Sequence, residues 1–382
     1  MKRKRRRFVL LTLVALSLVI AVSIQGCLHV PRIPASGTIA GYTMSGPVDS
    51  EIARDYLEGH ALPASLVETR QHFLSTGLVP SREELAATAQ QYSPDVATLL
   101  FIEALSATPQ GRDLRTRFDA ELAYVRQVGI AAARPPLPEN LLVLMVPGWF
   151  YVSHGSETGG DFKSQRQMFD LMGVAQQLVP VDENGTVENN ARTVADAVRA
   201  ASKDHHAILL VSASKSGPEV AQAIGRELTY AECTSVVGWV SIGGVVRGTP
   251  IADRVLSPEL CWLTQIKFGL EGYDLEGAKS MRTERAGRLF ENLSFPPHVR
   301  IVSFVPTPLS GNVTKRGELG YVLMRPRGPN DGLVLLADEL IPGGATFLAV
   351  GVDHFLDHPD RDLWTAAMFR VVMQELTHRE SP

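Results

Sequence analysis

The sequence predicts an α/β fold: a mostly parallel sheet covered by helices on both faces and preceded by a small helical region. Three observations carry that expectation. Beyond about residue 140, short apolar runs alternate with segments of helical periodicity, the pattern of successive β-α-β units. Those runs are apolar throughout rather than at every second residue, as strands buried on both faces require. Before residue 134, apolar residues recur at i, i+3 and i+4 with no strand pattern. At 382 residues and 45% hydrophobic content the chain can bury one large core and a smaller appendage.

The elements follow in order. MKRKRRR is followed by an uncharged apolar run from Phe8 to Ile24, then by small and polar residues ending in Cys27. A basic cluster, an apolar run and small residues together make an export signal, assigned to residues 1–26. The stretch "IQGC" is similar to the bacterial lipobox, with Ile24 and Gly26 matching and Gln25 bulkier than the pattern. The resemblance implies a lipid on Cys27 and an envelope lipoprotein held to a membrane. A plain cleaved signal and an uncleaved anchor are the alternatives. Residues 27–46 mix Pro, Gly and Ser without periodicity and read as a tether. Residues 47–134 carry helical patterns at 50–60, 65–76, 82–108 and 112–129, closed by the linker AAARPPLPEN.

Residues 135–382 form the predicted sheet domain. Strands are expected at 141–150, 174–182, 206–213, 235–244, 299–306 and in the run before His354. Helices fall between them at 161–173, at 186–204 with Thr186 as N-cap, and at 221–231. An insert at about 256–291 has the apolar content of a cap over a site at the strands' carboxyl ends, where the active groups of such sheets gather.

Removing residues 1–26 takes away six basic residues and no acids, leaving 31 basic residues against 41 acidic. With no Lys/Arg cluster outside the signal, nucleic acid is excluded as a partner. Cys233 and Cys261 could pair in an oxidising compartment, but their spacing does not decide it. No C-x-x-C or H-E-x-x-H pattern supports a metal, and no cofactor is expected.

The chemistry centres on HAILLVSASKSGPEVAQAIG, residues 206–225, where an apolar strand runs through three serines into a helix. Strand and helix backbones nearly touch at so tight a turn, so the apex needs small flanks. An apex at Ser212 would put Leu210 in the contact, and one at Ser216 would put Pro218 where the helix must supply N–H groups. Ser214 alone has small neighbours on both sides, Ser212 and Ser216. The stretch therefore reads as a G-x-S-x-G elbow with serine in place of each glycine; a serine-rich helix cap is the bland alternative. A nucleophilic serine needs a base and an acid, in the order Ser, Asp, His for an elbow enzyme. GPNDGLVLL puts Asp331 in a turn, and FLAVGVDHFLDHP ends an apolar strand at His354. His358 is a rival base, although Pro359 follows it; His205 and His206 open the elbow strand at its wrong end and read as structural. Asp331 alone could be an ordinary turn aspartate.

Over residues 140 to 360 the chain resembles the bacterial lipases and esterases of the α/β-hydrolase fold. Their catalytic acid sits in an N-D-G-L-V turn, matched by Asn330 to Val334, and their histidine in an H-L-D turn, loosely matched by HFLD; SIGGVVRGTPIAD echoes their T-P-x-x-G-S-x-x-A-D segment. The resemblance implies Ser214 as nucleophile, His354 as general base and acid, and Asp331 as orienting acid. The backbone N–H groups of Trp149 and Lys215 become the oxyanion donors, with the Lys215 side chain facing solvent. Pro147-Gly148 keeps the glycine of the family's oxyanion loop and loses its histidine. The family's calcium aspartate is displaced by one residue, to Asp357, so no metal carries over. Trp149, Phe150 and Tyr151 either line an acyl pocket or pack as ordinary aromatics. The expectation is an exported serine hydrolase of a carboxylic ester or lipid; the rival is a non-catalytic envelope lipoprotein using this scaffold to bind a lipid or protein partner.

Overall fold

A computed structural model describes residues 30–377; residues 1–26, read as an export signal, and Cys27, read as a lipidation site, lie outside the described residues. Six parallel strands build the central sheet: β3 (Leu141–Val146), β4 (Gln176–Leu178), β5 (Ala207–Ala213), β6 (Val236–Ile242), β7 (Arg300–Thr307) and β8 (Ala345–Val350), in the order β4-β3-β5-β6-β7-β8. β5, which carries the serine stretch, pairs with β3 on one side and β6 on the other, so the serines emerge at the middle of the sheet's carboxyl edge. Side chains alternate strictly along β3. Leu141, Val143 and Met145 face a core shared with Phe169 and Phe369, while Leu142, Leu144 and Val146 face one shared with Val194 and Val220. Helices Pro109–Val128, Lys163–Leu171 and Arg361–Thr377 cover the first face, and Val187–Ala201 and Ser216–Gln222 the second. Thr186 caps its helix by accepting the Asn189 N–H at 3.2 Å.

The segment read as a tether is largely structured. β1 (Ile33–Ile39) and β2 (Tyr42–Val48) form an antiparallel hairpin closed by Ala40 (φ 51°) and Gly41 (φ 84°). Two successive positive φ values are what a two-residue hairpin needs to match strand twist. The Pro, Gly and Ser that hid the alternation sit on half-exposed strands, while Ala35, Met44 and Val48 turn inward. The helical region is a layer rather than a separate body. Its central helix, Pro94–Ala107, shares a core with Val305 of β7, Leu348 of β8 and Leu336. The pattern over 82–108 is two helices, Arg82–Gln91 and Pro94–Ala107, because Ser93 caps the second and Pro94 fits only its first turn. Cys233 and Cys261 are unpaired. No helix among the described residues is long and apolar enough to cross a membrane.

Candidate active site

The elbow sets the geometry. Ser214 sits between β5 and helix Ser216–Gln222 with φ 57°, a left-handed conformation that costs a non-glycine residue energy and persists only where its surroundings enforce it. Three hydrogen bonds and one close packing contact enforce it here: Ser214 N–H donates to the Ile242 carbonyl at 2.9 Å, its own carbonyl accepts from Gly217 and Val245, and Gly217 packs so closely on Gly244 that a Cβ would come within 2.9 Å of the Gly244 Cα. The flanking serines have other work. Ser212 is fully buried and accepts the Trp239 indole N–H at 2.8 Å. Ser216, also buried, donates to the Val146 carbonyl at 2.6 Å and accepts from the Ala213 N–H at 2.8 Å. Each thus fills the space of a missing elbow glycine with a satisfied hydroxyl, and Ser214 alone lines the cavity above the strand ends.

That cavity, of about 510 Å³, is also lined by His354. His354 Nδ1 lies 2.5 Å from Asp331 Oδ2, and the backbone N–H of His354 donates to the Asp331 carbonyl at 2.9 Å. Asp331 is wholly buried, its other oxygen accepting the N–H groups of Leu333 and Val334 at 2.8 and 2.7 Å. Burial opposes a charge on His354, but the Asp331 charge and hydrogen bond, with Asp353 behind them, outweigh it and hold the imidazole above its ordinary pKa. Asp353 also accepts from the Thr314 N–H and hydroxyl, which ties down the loop. His358 is elsewhere, its Nδ1 accepting from the Asp360 N–H and its ring stacked on Trp364. His205 contacts the Asn140 carbonyl at the far end of β5.

Gly148 brings the loop after β3 against the elbow, where a Cβ would stand 3.7 Å from the Ser214 Cβ. Among the described residues, neither the Trp149 nor the Lys215 backbone N–H has an acceptor; Lys215 follows Ser214 in the chain, and Trp149 lines the same cavity as Ser214. Trp149 and Phe150 stack at 4.6 Å and line the cavity, with Phe268 of the insert helix Cys261–Glu271 against both rings. Tyr151 turns away, its hydroxyl donating to the Val181 carbonyl. The charged side chains on the wall are Lys267 and Arg361, which sequence reading missed because neither sits in a motif.

The Lys215 side chain does not face solvent. It is 2% exposed and ion-paired with Glu219, one helical turn on, and Glu219 also accepts from the Asn190 amide at 2.8 Å. The turn that aims Ser214 outward aims the next residue inward, which composition around Lys215 does not reveal. Burial pushes the Glu219 carboxyl up, with Lys215 and Asn190 pulling against it. Asn190 is in turn bonded to the Asp182 backbone through both its amide atoms, and Glu183 next to it accepts the Phe150 N–H. A polar chain, buried at Glu219 and Asn190 and reaching the surface at Asp182, therefore joins the segment bearing the Lys215 N–H to the loop bearing the Trp149 N–H.

No family model and no curated protein matches the chain. Among solved structures, a metagenomic carboxyl esterase matches with a TM-score of 0.51 at 20% identity, over 64% of this chain and 79% of its own. A mature lipase of Bacillus licheniformis matches with a TM-score of 0.47 at 18% identity, over 64% and 93%. The six-stranded parallel sheet, its two helical faces and the esterase likeness establish one conclusion about kind: this chain has the α/β-hydrolase fold.

Proposed function

We propose that the protein is a serine hydrolase of carboxylic esters, with Ser214 as nucleophile, His354 as general base and acid, and Asp331 as the group that orients His354. The observation that carries this reading is the meeting on one cavity of a strained Ser214, a His354 held by buried Asp331, and Trp149, with the Trp149 and Lys215 N–H groups without acceptors among the described residues. Ser214 Oγ attacks the ester carbonyl carbon while its proton passes to His354 Nε2; the carbonyl π pair moves onto oxygen, facing the Trp149 and Lys215 N–H groups. Collapse expels the alkoxide, which takes the proton from His354. Water, deprotonated by the same imidazole, then releases the acid and restores Ser214. Asp331 keeps Nδ1 protonated and Nε2 toward Ser214. The non-catalytic rival draws on the loss of both elbow glycines and of the oxyanion-loop histidine; the buried, hydrogen-bonded hydroxyls of Ser212 and Ser216 weigh against the first of these grounds. Hydrolysis of p-nitrophenyl acetate by wild type, and its loss in Ser214→Ala with unchanged circular dichroism, tests the reading; equal turnover by both overturns it.

We further propose an exported, membrane-anchored protein, lipidated at Cys27, on the strength of the basic cluster, the apolar run and "IQGC". A chain beginning at residue 27 with added lipid mass supports this. A membrane-bound chain that retains Met1 contradicts it.

A further inference from the structure

The cavity that holds Ser214 has a second chamber behind it. Between the sheet and helix Arg361–Thr377 lies a space of about 60 Å³, walled by Leu209 of β5, Val240 of β6, Phe304 of β7, and Met368 and Phe369 of the helix. The two spaces share four wall residues: Gln165, Ile242, Leu356 and Arg361. Ile242 ends β6 beside the elbow, and Leu356 lies two residues past His354, so the shared wall stands next to the proposed nucleophile. Leu356 itself has φ 49°, a fourth strained non-glycine residue on this cavity wall beside Phe150, Phe162 and Ser214.

The inner chamber is lined mainly by apolar side chains. Its polar wall residues are Thr365, whose hydroxyl donates to the Arg361 carbonyl at 2.9 Å, and Gln165 and Arg361, which it shares with the outer cavity. Protein cores pack to the density of organic crystals, and a void costs stability in proportion to its size. A mainly apolar void that shares a wall with the nucleophile's cavity therefore fits an apolar occupant that arrives with the reacting group.

Resting on the esterase reading above, we infer that the acyl chain of the substrate runs past Ile242 and Leu356 into this chamber beneath the sheet, which makes the enzyme selective for esters of medium-chain fatty acids. The chain does not lie along Trp149, Phe150 and Phe268 beneath the insert. The carbonyl stays at Ser214, the alcohol portion leaves toward the outer cavity where Lys267 stands, and each methylene that enters the chamber exchanges water for hydrocarbon contact. By ordinary transfer energies each adds about fourfold to kcat/KM until the chamber is full.

The test compares kcat/KM for p-nitrophenyl acetate and octanoate in wild type, Met368→Trp, Thr365→Phe and Phe268→Ala. Met368→Trp fills the chamber from the helix. Thr365→Phe fills it at a half-buried position less costly to the core, which keeps the test valid should the first variant fail to fold. The octanoate-to-acetate ratio is expected to exceed about tenfold in wild type, to fall at least tenfold in a folded chamber variant, and to persist in Phe268→Ala. Inactivation by ethyl and octyl fluorophosphonates must follow the same order. A ratio near one in wild type, an unchanged ratio in a folded chamber variant, or collapse in Phe268→Ala alone overturns the inference while leaving the esterase reading standing. Failure of wild type to cleave either ester removes both.

Discussion

Asp331 Oδ2 and His354 Nδ1 stand 2.5 Å apart across 23 residues of chain, the acid wholly buried and the imidazole at the wall of the cavity that holds Ser214. Asp331→Asn keeps the size of the side chain and removes the charge that fixes the tautomer. Turnover is expected to fall by about 10³- to 10⁴-fold. The pH profile gives the mechanism a second readout. The base works as neutral imidazole, so activity rises with pH through the His354 pKa, which Asp331 holds above its ordinary value against burial. With that charge gone, burial prevails and the rising limb of residual activity moves to lower pH. A limb that stays in place contradicts the coupling.

The three serines separate by what they hold. Ser214→Ala is expected to abolish activity and leave stability nearly unchanged. Ser212→Ala orphans the buried Trp239 N–H, and Ser216→Ala orphans the Ala213 N–H, so each is expected to lose about 1–3 kcal/mol in urea unfolding while keeping measurable turnover. Loss of turnover in Ser212→Ala or Ser216→Ala with retention in Ser214→Ala moves the nucleophile.

The Lys215–Glu219 pair is buried on both sides, and truncating one member strands the other charge. Glu219→Leu is expected to cost about 3–5 kcal/mol in urea unfolding, and the double variant Lys215→Met/Glu219→Leu to recover most of it. Equal losses in the single and double variants mean that the pair is not coupled.

These particulars mark where the sequence was legible. Period and order sufficed for the parallel sheet, because β3, β5, β6 and β7 are buried on both faces and their apolar runs show it. Size exclusion at a tight turn placed Ser214 at the apex, and in the structure Ser214 is the serine with φ 57° that lines the cavity. The β1–β2 hairpin was not legible, since its inward positions include only a few apolar residues among Pro, Gly and Ser. Neither was the burial of Lys215, whose partner Glu219 lies one turn on but whose direction depends on the strained φ of Ser214. The inner chamber depends on β5, β6 and β7, far apart in sequence, meeting one helix, and no local pattern carries that.

Asp95 joins the helical layer to the sheet domain. It accepts from the Asp49 and Ser310 N–H groups and the Ser310 and Tyr321 hydroxyls, with Arg325 paired to Asp49 beside it. Burial, then the Asp49 charge, push its carboxyl up to about 7 against the Ser310 bonds. A raised folded pKa gives stability that is fully present below the unfolded value of 3.8 and is lost as pH rises to about 7. Asp95→Asn cannot titrate, so its stability relative to wild type is expected to improve as pH rises from 4 to 7 and to level off above. A difference between the two that stays constant over this range contradicts the assignment.

The central claim is that Ser214 is an activated nucleophile, and covalent capture addresses it most directly. Fluorophosphonates react with a serine that a base has activated and not with one that merely lines a cavity. Incubation with a short alkyl fluorophosphonate, followed by intact mass and peptide mapping, is predicted to give one adduct per chain on the peptide containing Ser214, absent in Ser214→Ala and strongly slowed in His354→Ala. No adduct on folded wild-type protein, or an adduct carried by Ser212 or Ser216, contradicts the account.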